Sequence, residues 1–376
     1  MDNILLSAFL AFMATFFAIP VIIQVAKEKK LFDEPDERKV HKTVIPTLGG
    51  LGIFAGFILA ALLGAPQDNT NDIQYFAAAS VVIFFLGIKD DILVISATKK
   101  FMGQVVAAII IIKFGHIQLN NMYGLFGIYE IPAFAGSVLT LFTIVVITNS
   151  FNLIDGVDGL AGSLGLLTTL VFGSYFYYIG ELSYAVMAFS LAGSIIGFLI
   201  YNFSPAKIFM GDTGSLLLGL INSILVIKFI NVSQSNTIPL HLDASPIIGF
   251  AILMIPLFDT LRVFTYRILD RRSPFSPDRN HIHHLLLDLG NNHRQVTYIC
   301  LAANIGFILL AFTLRQLGSN ILIAVIMIVA MGLIGIAYFM RNKKNAARQL
   351  DEINEKQNII KSHKILTLAG KSAEIK

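Results

Sequence analysis

Acidic, basic and amide side chains are concentrated in five short segments of an otherwise apolar sequence. In chain order these are Arg38–Lys42 with Pro46–Gly50, Lys89–Asp91 with Lys99 and Lys100, Asn152–Leu160, Asn202 with Met210–Ser215, and Arg271–Pro274 with Asp278–His284. Carboxylates are the usual protein ligands of divalent cations, and Lys, Arg and His side chains bind phosphate oxygens. Phosphoryl transfer requires both kinds of group around a positioned nucleophile. The combination therefore predicts a metal-assisted phosphoryl-transfer site.

Asp90 and Asp91 are adjacent carboxylates at the end of an apolar run. Their mutual repulsion favours a divalent cation or basic partners nearby. Taken alone, the pair is equally compatible with a solvated loop that ends a helix.

Asn152, Asp155 and Asp158 are spaced three residues apart, and Gly156, Gly159 and Gly162 form a second stripe at the same spacing. On a helix, residues at this spacing share one face, and glycines allow a ligand to approach the backbone. One such Asp is readily explained as a helix cap. Three polar residues in register favour a ligand-binding face instead.

Asp212 precedes a long apolar run, so it is also a candidate N-cap, although Gly211 and Gly214 leave space for a phosphate or a metal. Further along the chain, His281, His283 and His284 do not match a zinc motif, because no HExxH or paired-Cys pattern accompanies them. With Arg279 beside them, they predict a basic pocket for phosphate oxygens, and a solvated basic loop is the alternative.

Asp259 and Arg262 lie three residues apart inside an apolar segment. Ionisable residues within a membrane span are often functional, but this spacing favours an intrahelical ion pair.

The composition indicates which elements must position these groups. The chain has 376 residues, of which 55% are hydrophobic and 14% charged, with a mean hydropathy of +0.73. A soluble domain has about 25% charged residues. The single cysteine, Cys300, excludes an internal disulfide framework and a CxxC metal site.

Within lipid, only helices and closed β-barrels satisfy all of their backbone hydrogen bonds. The sequence lacks the period-two alternation of barrel strands, so we expect an all-α polytopic membrane protein. About eleven transmembrane helices are predicted, at residues 4–25, 48–65, 73–88, 101–115, 131–148, 160–179, 182–201, 213–230, 246–266, 296–315 and 320–340. Residues 1–340 would form a transmembrane catalytic domain, and 341–376 a charged cytoplasmic tail in an amphipathic helix. Segment 116–132 is a candidate hairpin. Met1–Gln24 lacks a cleavage site and is interpreted as the first span.

The distribution of Lys and Arg predicts the orientation. An outside N-terminus and a cytoplasmic C-terminus place 25 of the 28 Lys and Arg residues on the inner side. All five polar segments then lie in cytoplasmic loops.

Four strings occur in order: KDD at 89–91, NxxDGxDGL at 152–160, NxxPAxxFMGDTGSL at 202–216 and HIHH at 281–284. This series resembles the polyprenyl-phosphate N-acetylhexosamine-1-phosphate transferases, and the resemblance covers residues 1–340. It implies a UDP-sugar donor, undecaprenyl phosphate as acceptor, Mg²⁺ or Mn²⁺ as cofactor, and release of UMP. It also implies a multi-pass protein of the inner (cytoplasmic) membrane with a cytoplasmic active site and no nucleic-acid partner, and it leaves a homodimer open.

The family pattern also implies roles for individual residues. Asp90, Asp91 and Asp212 would be catalytic, with Asp91 and Asp212 at the metal. The nucleotide-sugar would contact Asn152, Asp155, Asp158 and Asn202. The phosphates or the sugar would contact Lys100, Arg279, His281, His283 and His284. The pattern leaves the identity of any general base open.

Leu285 refines the expected donor. Muramoyl-pentapeptide transferases are expected to carry a third consecutive histidine there, whereas the HIHH form is similar to GlcNAc-1-phosphate transferases. UDP-GlcNAc is therefore the expected donor, with another UDP-N-acetylhexosamine or UDP-MurNAc-pentapeptide as alternatives. A secondary transporter is the rival class, but transporters favour midplane charges and paired repeats, and neither is visible in the sequence.

Overall fold

Helices form nearly all of the regular structure in the computed structural model, which describes residues 2–29, 31, 45–66, 72–234, 238–271 and 280–373. In chain order the helices are α1 (Asp2–Lys29), α2 (Gly49–Gly64), α3 (Asp72–Leu93), α4 (Ala97–Lys113), α5 (Ala133–Ile154), α6 (Leu160–Ile179), α7 (Leu182–Asn202), α8 (Gly211–Val232), α9 (Ser245–Ile252), α10 (Met254–Leu269), α11 (Ile282–Asp288), α12 (His293–Thr313) and α13 (Ser319–Ala373). Strands β1 (Asn121–Leu125) and β2 (Ile128–Glu130) pair antiparallel, which confirms the predicted hairpin.

Within the described residues, seven helices are long and apolar enough to cross a membrane, or eight if α9 and α10 together form one bent span. The chain is thus a polytopic helical membrane protein. A helix lies at each of the eleven predicted spans, but α3 is not among these seven, and α2 and α4, with 16 and 17 residues, are short for a full crossing. The number eleven and the orientation stay predictions.

The prediction of one continuous helix at 246–266 is wrong, because α9 and α10 meet at an angle of 88°. Pro256 has no N–H to donate to the carbonyl of Ile252. The Asn304 side chain on α12 forms hydrogen bonds with the backbone on both sides of the break. Its Nδ2 donates to Ile252 O at 2.9 Å, and its Oδ1 accepts from Ile255 N at 3.0 Å. The bend therefore leaves these backbone groups paired inside the bundle.

Helix α8 is the centre of the bundle. In its most apolar stretch 83% of residues are buried, compared with 22% for α1 and for α13, which lie at the periphery. Because α8 is enclosed by α2, α3, α5 and α6, its amino terminus is a fixed point around which polar loops can be arranged.

Helix α13 continues from Ser319 to Ala373 without a break at 340/341. The proposed division between a catalytic domain and a tail therefore coincides with no change in backbone structure. The amphipathic character predicted for the tail depends mostly on side chains beyond Leu350, and the structure does not describe those side chains.

Candidate active site

Three sequence motifs meet at the amino terminus of α8 through backbone contacts. Phe209 N donates to Pro46 O at 2.7 Å, and Gly50 N donates to Met210 O at 2.8 Å. Helix α3 approaches from another side, and a Cβ on Gly87 would lie 2.4 Å from the Cα of Thr213. The glycine at this position allows the two helices to approach closely enough for their polar ends to interact.

Asp91 caps α8 from the neighbouring helix α3. Its Oδ1 accepts from Asp212 N at 2.6 Å, and its Oδ2 accepts from Thr213 N at 3.1 Å and Thr213 Oγ1 at 2.6 Å. Gly211, which immediately precedes Asp212, has φ of +70°, and a side chain there would collide with Thr47 O and the Asp91 carboxylate. A carboxylate is favourable at this position because helix amino termini carry a partial positive charge. The Asp212 carboxylate itself contacts Lys100 on α4 and Asn152 on α5.

Lys100 on α4 connects the polar groups of three other helices. Its ammonium group lies 3.2 Å from Asp90 Oδ2 and 3.2 Å from Asn152 Oδ1, and it also pairs with Asp212 Oδ2. Asn152 Nδ2 donates to Asp212 Oδ1 at 2.7 Å and to Ser215 Oγ at 3.0 Å. The side chains of Asp90, Lys100 and Asp212 are between 14% and 25% exposed, so this cluster is sheltered but accessible.

The prediction that Asn152, Asp155 and Asp158 share one helix face is wrong. Helix α5 ends at Ile154, and residues 155–159 form a turn that closes with Gly159 in the left-handed conformation, at φ of +73°. Two glycines in five residues disfavour helix continuation here. Asn152 consequently contacts α8, whereas Asp158 contacts a different part of the chain.

Asp158 and Asn202 connect the 155–159 turn to the end of α7 and to the segment between α7 and α8. Asp158 Oδ2 accepts from Ala206 N at 3.1 Å, and Asn202 Oδ1 accepts from Gly159 N at 2.9 Å. His293, which the sequence reasoning missed, has its Nδ1 3.2 Å from Asp158 Oδ1. The available signal was the capping box of Asn292 and Gln295, which places His293 in the first turn of α12.

Asp155 lies in the turn between these two groups of residues. Burial raises the pKa of its carboxyl well above the usual value, and the negative charges of Asp212, Asp91 and Asp158 raise it further. Such a raised pKa is typical of a carboxylate in a site that receives a cation or a hydrogen-bonding ligand.

Residues 281–284, here called the histidine segment, pack on this turn. His283 is buried, and a Cβ on Gly156 would lie 2.5 Å from its Nε2. Its ring is stacked on that of His281, with centroids 5.7 Å apart and planes 7° apart, and the His284 centroid lies 4.3 Å from that of His283. Burial and the neighbouring His284 lower the pKa of His283 to about 3, so its ring is neutral. Arg272 and Arg279 lie outside the described residues.

The fit of a divalent cation can be judged from the oxygen atoms around Lys100. No three His, Cys, Asp or Glu side chains among the described residues form a metal-ligand group. However, oxygens of Asp90, Asn152 and Asp212 converge on one ammonium group. Mg²⁺ prefers such hard oxygen donors, and commonly uses one or two carboxylates and completes its shell with water and substrate phosphates. The residues present therefore fit Mg²⁺ or Mn²⁺.

Carboxylates, an amide and a lysine at the polar ends of membrane helices are the groups that a membrane-embedded transferase of phosphorylated substrates requires. The family model described as glycosyl transferase family 4 matches residues 73–230, which contain Asp90, Asp91, Lys100, Asn152 and Asp212. The chain belongs to this family, which confirms the resemblance inferred from the motifs.

Curated relatives agree with this assignment along most of the chain. A probable undecaprenyl-phosphate N-acetylglucosaminyl 1-phosphate transferase of Bacillus subtilis (strain 168) is 32% identical over 349 residues, covering 92% of this chain and 94% of the relative. The undecaprenyl-phosphate alpha-N-acetylglucosaminyl 1-phosphate transferase of Escherichia coli (strain K12) is 33% identical and covers 74% and 76%. The decaprenyl-phosphate N-acetylglucosaminephosphotransferase of Mycobacterium tuberculosis (strain H37Rv) is 33% identical and covers 76% of each chain.

Proposed function

We propose that this protein transfers GlcNAc-1-phosphate from UDP-GlcNAc to undecaprenyl phosphate and releases UMP. The observation that carries the proposal is the convergence of Asp90, Asn152 and Asp212 on the Lys100 ammonium group. These groups come from four different helices, so the fold assembles a charged cluster suited to phosphates. The names of the relatives give undecaprenyl phosphate and an N-acetylglucosaminyl 1-phosphate group, which supports the acceptor and the transferred group.

In the proposed reaction an oxygen of the acceptor phosphate attacks the sugar-linked phosphorus of the donor. A new P–O bond forms, the bond between that phosphorus and the bridging oxygen breaks, and UMP leaves with the bridging oxygen. The acceptor phosphate is already largely ionised near neutral pH, so a strong general base is not required. The main tasks of the protein are then positioning and charge stabilisation.

Asp90 and Asp212, with the Asn152 amide oxygen, would hold Mg²⁺ or Mn²⁺, which when bound neutralises charge on the phosphates. Lys100 keeps the two carboxylates close together despite their repulsion. Asp91 stays a predicted metal ligand from the family pattern, but its contacts favour a positioning role, because its carboxylate accepts three hydrogen bonds from α8.

The donor would bind on the side formed by the 155–159 turn and the histidine segment. Asp155, Asp158 and Asn202 would contact or support the nucleotide, and His281, His283, His284 and Arg279 the phosphates or the sugar. The buried Nδ1 of His283 has no hydrogen-bond partner within the described part of the chain, which supports a ligand-facing role for this ring.

The N-acetylglucosamine assignment is supported by the relatives and by Leu285. This residue is buried in α11, and its apolar side chain belongs to the protein interior. The lipid-linked product would start a cell-envelope polysaccharide, such as O-antigen or a teichoic-acid linkage. Other UDP-N-acetylhexosamines and UDP-MurNAc-pentapeptide are the alternative donors.

The positive-inside distribution supports an outside N-terminus and a catalytic face in the cytoplasm, where 25 of 28 Lys and Arg residues would lie. We place the protein in the inner (cytoplasmic) membrane, where both substrates would meet at the polar ends of α3, α4 and α8.

The full-length protein, purified in detergent, tests the proposal when it is incubated with undecaprenyl phosphate, Mg²⁺ and a panel of UDP-sugars. We expect UMP and a lipid-linked product from UDP-GlcNAc, and loss of both when a chelator is added. UMP release with a different UDP-hexosamine would change the donor but retain the chemistry. Absence of product with every UDP-sugar of the panel would contradict the proposed function.

A further inference from the structure

Asp259, on α10 just beyond the bend, is a buried carboxylate to which the proposed reaction assigns no task. It is 1% exposed and accepts three hydrogen bonds. Its Oδ1 accepts from Ile282 N and from Arg262 Nη2, both at 2.9 Å, and its Oδ2 lies 2.9 Å from His281 Nδ1. A side chain on one element thus holds both the backbone and the ring at the start of the histidine segment.

These contacts determine which nitrogen of His281 carries a hydrogen. An ionised carboxylate only accepts hydrogen bonds, so His281 Nδ1 must be the donor. Nε2, on the opposite edge of the ring, is then the nitrogen that remains for a ligand. A carboxylate that fixes the tautomer and the orientation of a functional histidine is a recurring arrangement in enzymes.

Arg262 balances the buried negative charge and connects the arrangement to its surroundings. Its guanidinium donates to Asp259, to Asn280 O immediately before His281, and to the hydroxyl of Tyr338 on α13 at 2.9 Å. An unbalanced carboxylate would be costly to bury at this position. The ion pair predicted from the spacing of Asp259 and Arg262 is confirmed at 2.9 Å, and it also anchors the histidine segment.

His283 differs from His281 although their rings are stacked. Its ring is neutral and packs against Gly156, whereas the His281 ring bonds to a carboxylate. The parallel planes mean that a rotation of the His281 ring would disturb both histidines. The orientation of the His281 ring therefore also affects the position of the His283 ring.

We propose that Asp259 is a positioning residue for the transfer reaction, which holds His281 in the Nδ1–H tautomer so that Nε2, the acceptor nitrogen of this tautomer, faces a hydroxyl or the amide N–H on the sugar of the bound UDP-sugar. The inference rests on the proposed function, and it extends the site to a helix that none of the five motifs includes. Asp259 acts through His281 and does not contact the substrate.

The substitution Asp259→Asn separates this role from simple packing. The Asn oxygen can still accept from Ile282 N and Arg262, but its NH₂ group would face His281 Nδ1 and favour the opposite tautomer. We expect kcat/KM for the UDP-sugar to fall about 10- to 100-fold, as is typical when such an orienting partner is lost. The KM for undecaprenyl phosphate and the Tm should change little. Asp243→Asn is the matched control, because Asp243 pairs with His241 in an exposed position, and it should leave activity unchanged.

A double-mutant cycle with His281→Gln tests whether Asp259 acts through His281. In the His281→Gln background, adding Asp259→Asn should cause no further loss of kcat/KM. Equal losses in both backgrounds, or no loss in the wild-type background, would overturn the proposal. If Asp259→Asn lowers the Tm, Asp259→Glu should retain more activity at a comparable Tm, and activities that follow the Tm alone would count against the role.

A second readout separates this inference from the proposed function. UDP-GlcNAc binding, measured as the ligand-induced increase in Tm, should follow the same double-mutant cycle. A wild-type protein that binds UDP-GlcNAc but releases no UMP contradicts the transfer reaction while leaving the role of Asp259 measurable. Binding that is equally strong in the wild type and in Asp259→Asn would contradict the role of Asp259 itself.

Discussion

At the scale of single residues, Lys100 determines how two carboxylates can share one site. Asp90 and Asp212 both lie within ion-pair distance of its ammonium group, and they would repel each other without it. Their partial burial strengthens these interactions relative to exposed pairs. In the proposed reaction, a divalent cation and the substrate phosphates would bind beside this lysine.

Asp212→Asn tests this cluster most directly. The amide keeps the size of the side chain but removes the charge that would hold a metal. We expect kcat to fall by about 10²–10³-fold, the loss typical when one group of a preorganised electrostatic site is removed. UMP release measures the effect, and membrane insertion and Tm should be unchanged. The exposed Asp243→Asn substitution is the control, and near-wild-type activity of Asp212→Asn would remove this residue from the proposed metal site.

His283 predicts a dependence of stability on pH. The folded protein keeps the ring neutral because its pKa is lowered to about 3, whereas the unfolded chain takes up a proton below the ordinary value of 6.5. Stability is therefore lost as the pH falls from 6.5 towards 3. At about pH 5 this residue should cost roughly 2 kcal/mol relative to about pH 7.5.

Thermal unfolding at these two pH values measures the effect. His283→Gln should reduce the loss of Tm on acidification, because glutamine does not titrate. The matched control is His116→Gln, at an exposed histidine, which should behave like the wild type. An equal loss of Tm on acidification in His283→Gln and in the wild type would contradict the assignment.

At the scale of elements, the proposed catalytic cluster depends on how closely α3 approaches α8. Asp91 reaches the α8 amino terminus because Gly87 and Thr213 are in backbone contact. A helix capped by a residue of another helix has its end fixed by tertiary packing as well as by its own sequence. Asp212 is thereby held in place relative to Lys100 and Asn152.

Gly87→Ala should separate these two helices. The added Cβ would lie 2.4 Å from the Thr213 Cα, so the backbones must shift. We expect a destabilisation of about 1–3 kcal/mol, together with a loss of activity larger than the fall in Tm explains. Gly335→Ala on α13, where an added Cβ meets no atom within 4 Å, is the control. Wild-type kcat in Gly87→Ala would show that the α3–α8 distance is unimportant for the reaction.

The bend between α9 and α10 depends on one side chain of α12. Replacing Asn304 by Leu would leave Ile252 O and Ile255 N buried without their present partners. Each lost partner costs about 1–3 kcal/mol, so a clear decrease in Tm is expected. Because α10 carries Asp259, the KM for the UDP-sugar should also rise. An unchanged Tm would mean that the bend is maintained by other contacts.

At the scale of the whole molecule, the distribution of Lys and Arg predicts that the N-terminus lies outside and the C-terminus in the cytoplasm. Glu130 in the hairpin and Lys99 at the start of α4 are both exposed, and the prediction places them on opposite sides. The native Cys300 is 1% exposed, so it should react little with a thiol reagent. In intact cells a membrane-impermeant maleimide should label Glu130→Cys, and should label Lys99→Cys only after permeabilisation. The reverse pattern would invert the proposed topology.

The sequence alone was sufficient for the membrane class, the motifs, the family and the helical character of each predicted span, although it predicted one continuous helix where α9 and α10 bend by 88°. Hydropathy and charge are local properties, and they report directly on which segments can enter lipid. The motif strings likewise identified Asp90, Asp91, Lys100, Asn152 and Asp212 before their contacts were known.

Tertiary structure alone decided how those residues divide their tasks. The spacing of Asn152, Asp155 and Asp158 suggested one helix face, but a glycine-containing turn separates them, so Asn152 contacts α8 and Asp158 contacts α12. Asp91, not Asp212, caps α8, and Asp259 reaches His281 across 22 residues of sequence. These contacts join residues that are distant in the chain, and local patterns do not encode them because they depend on how helices pack and bend.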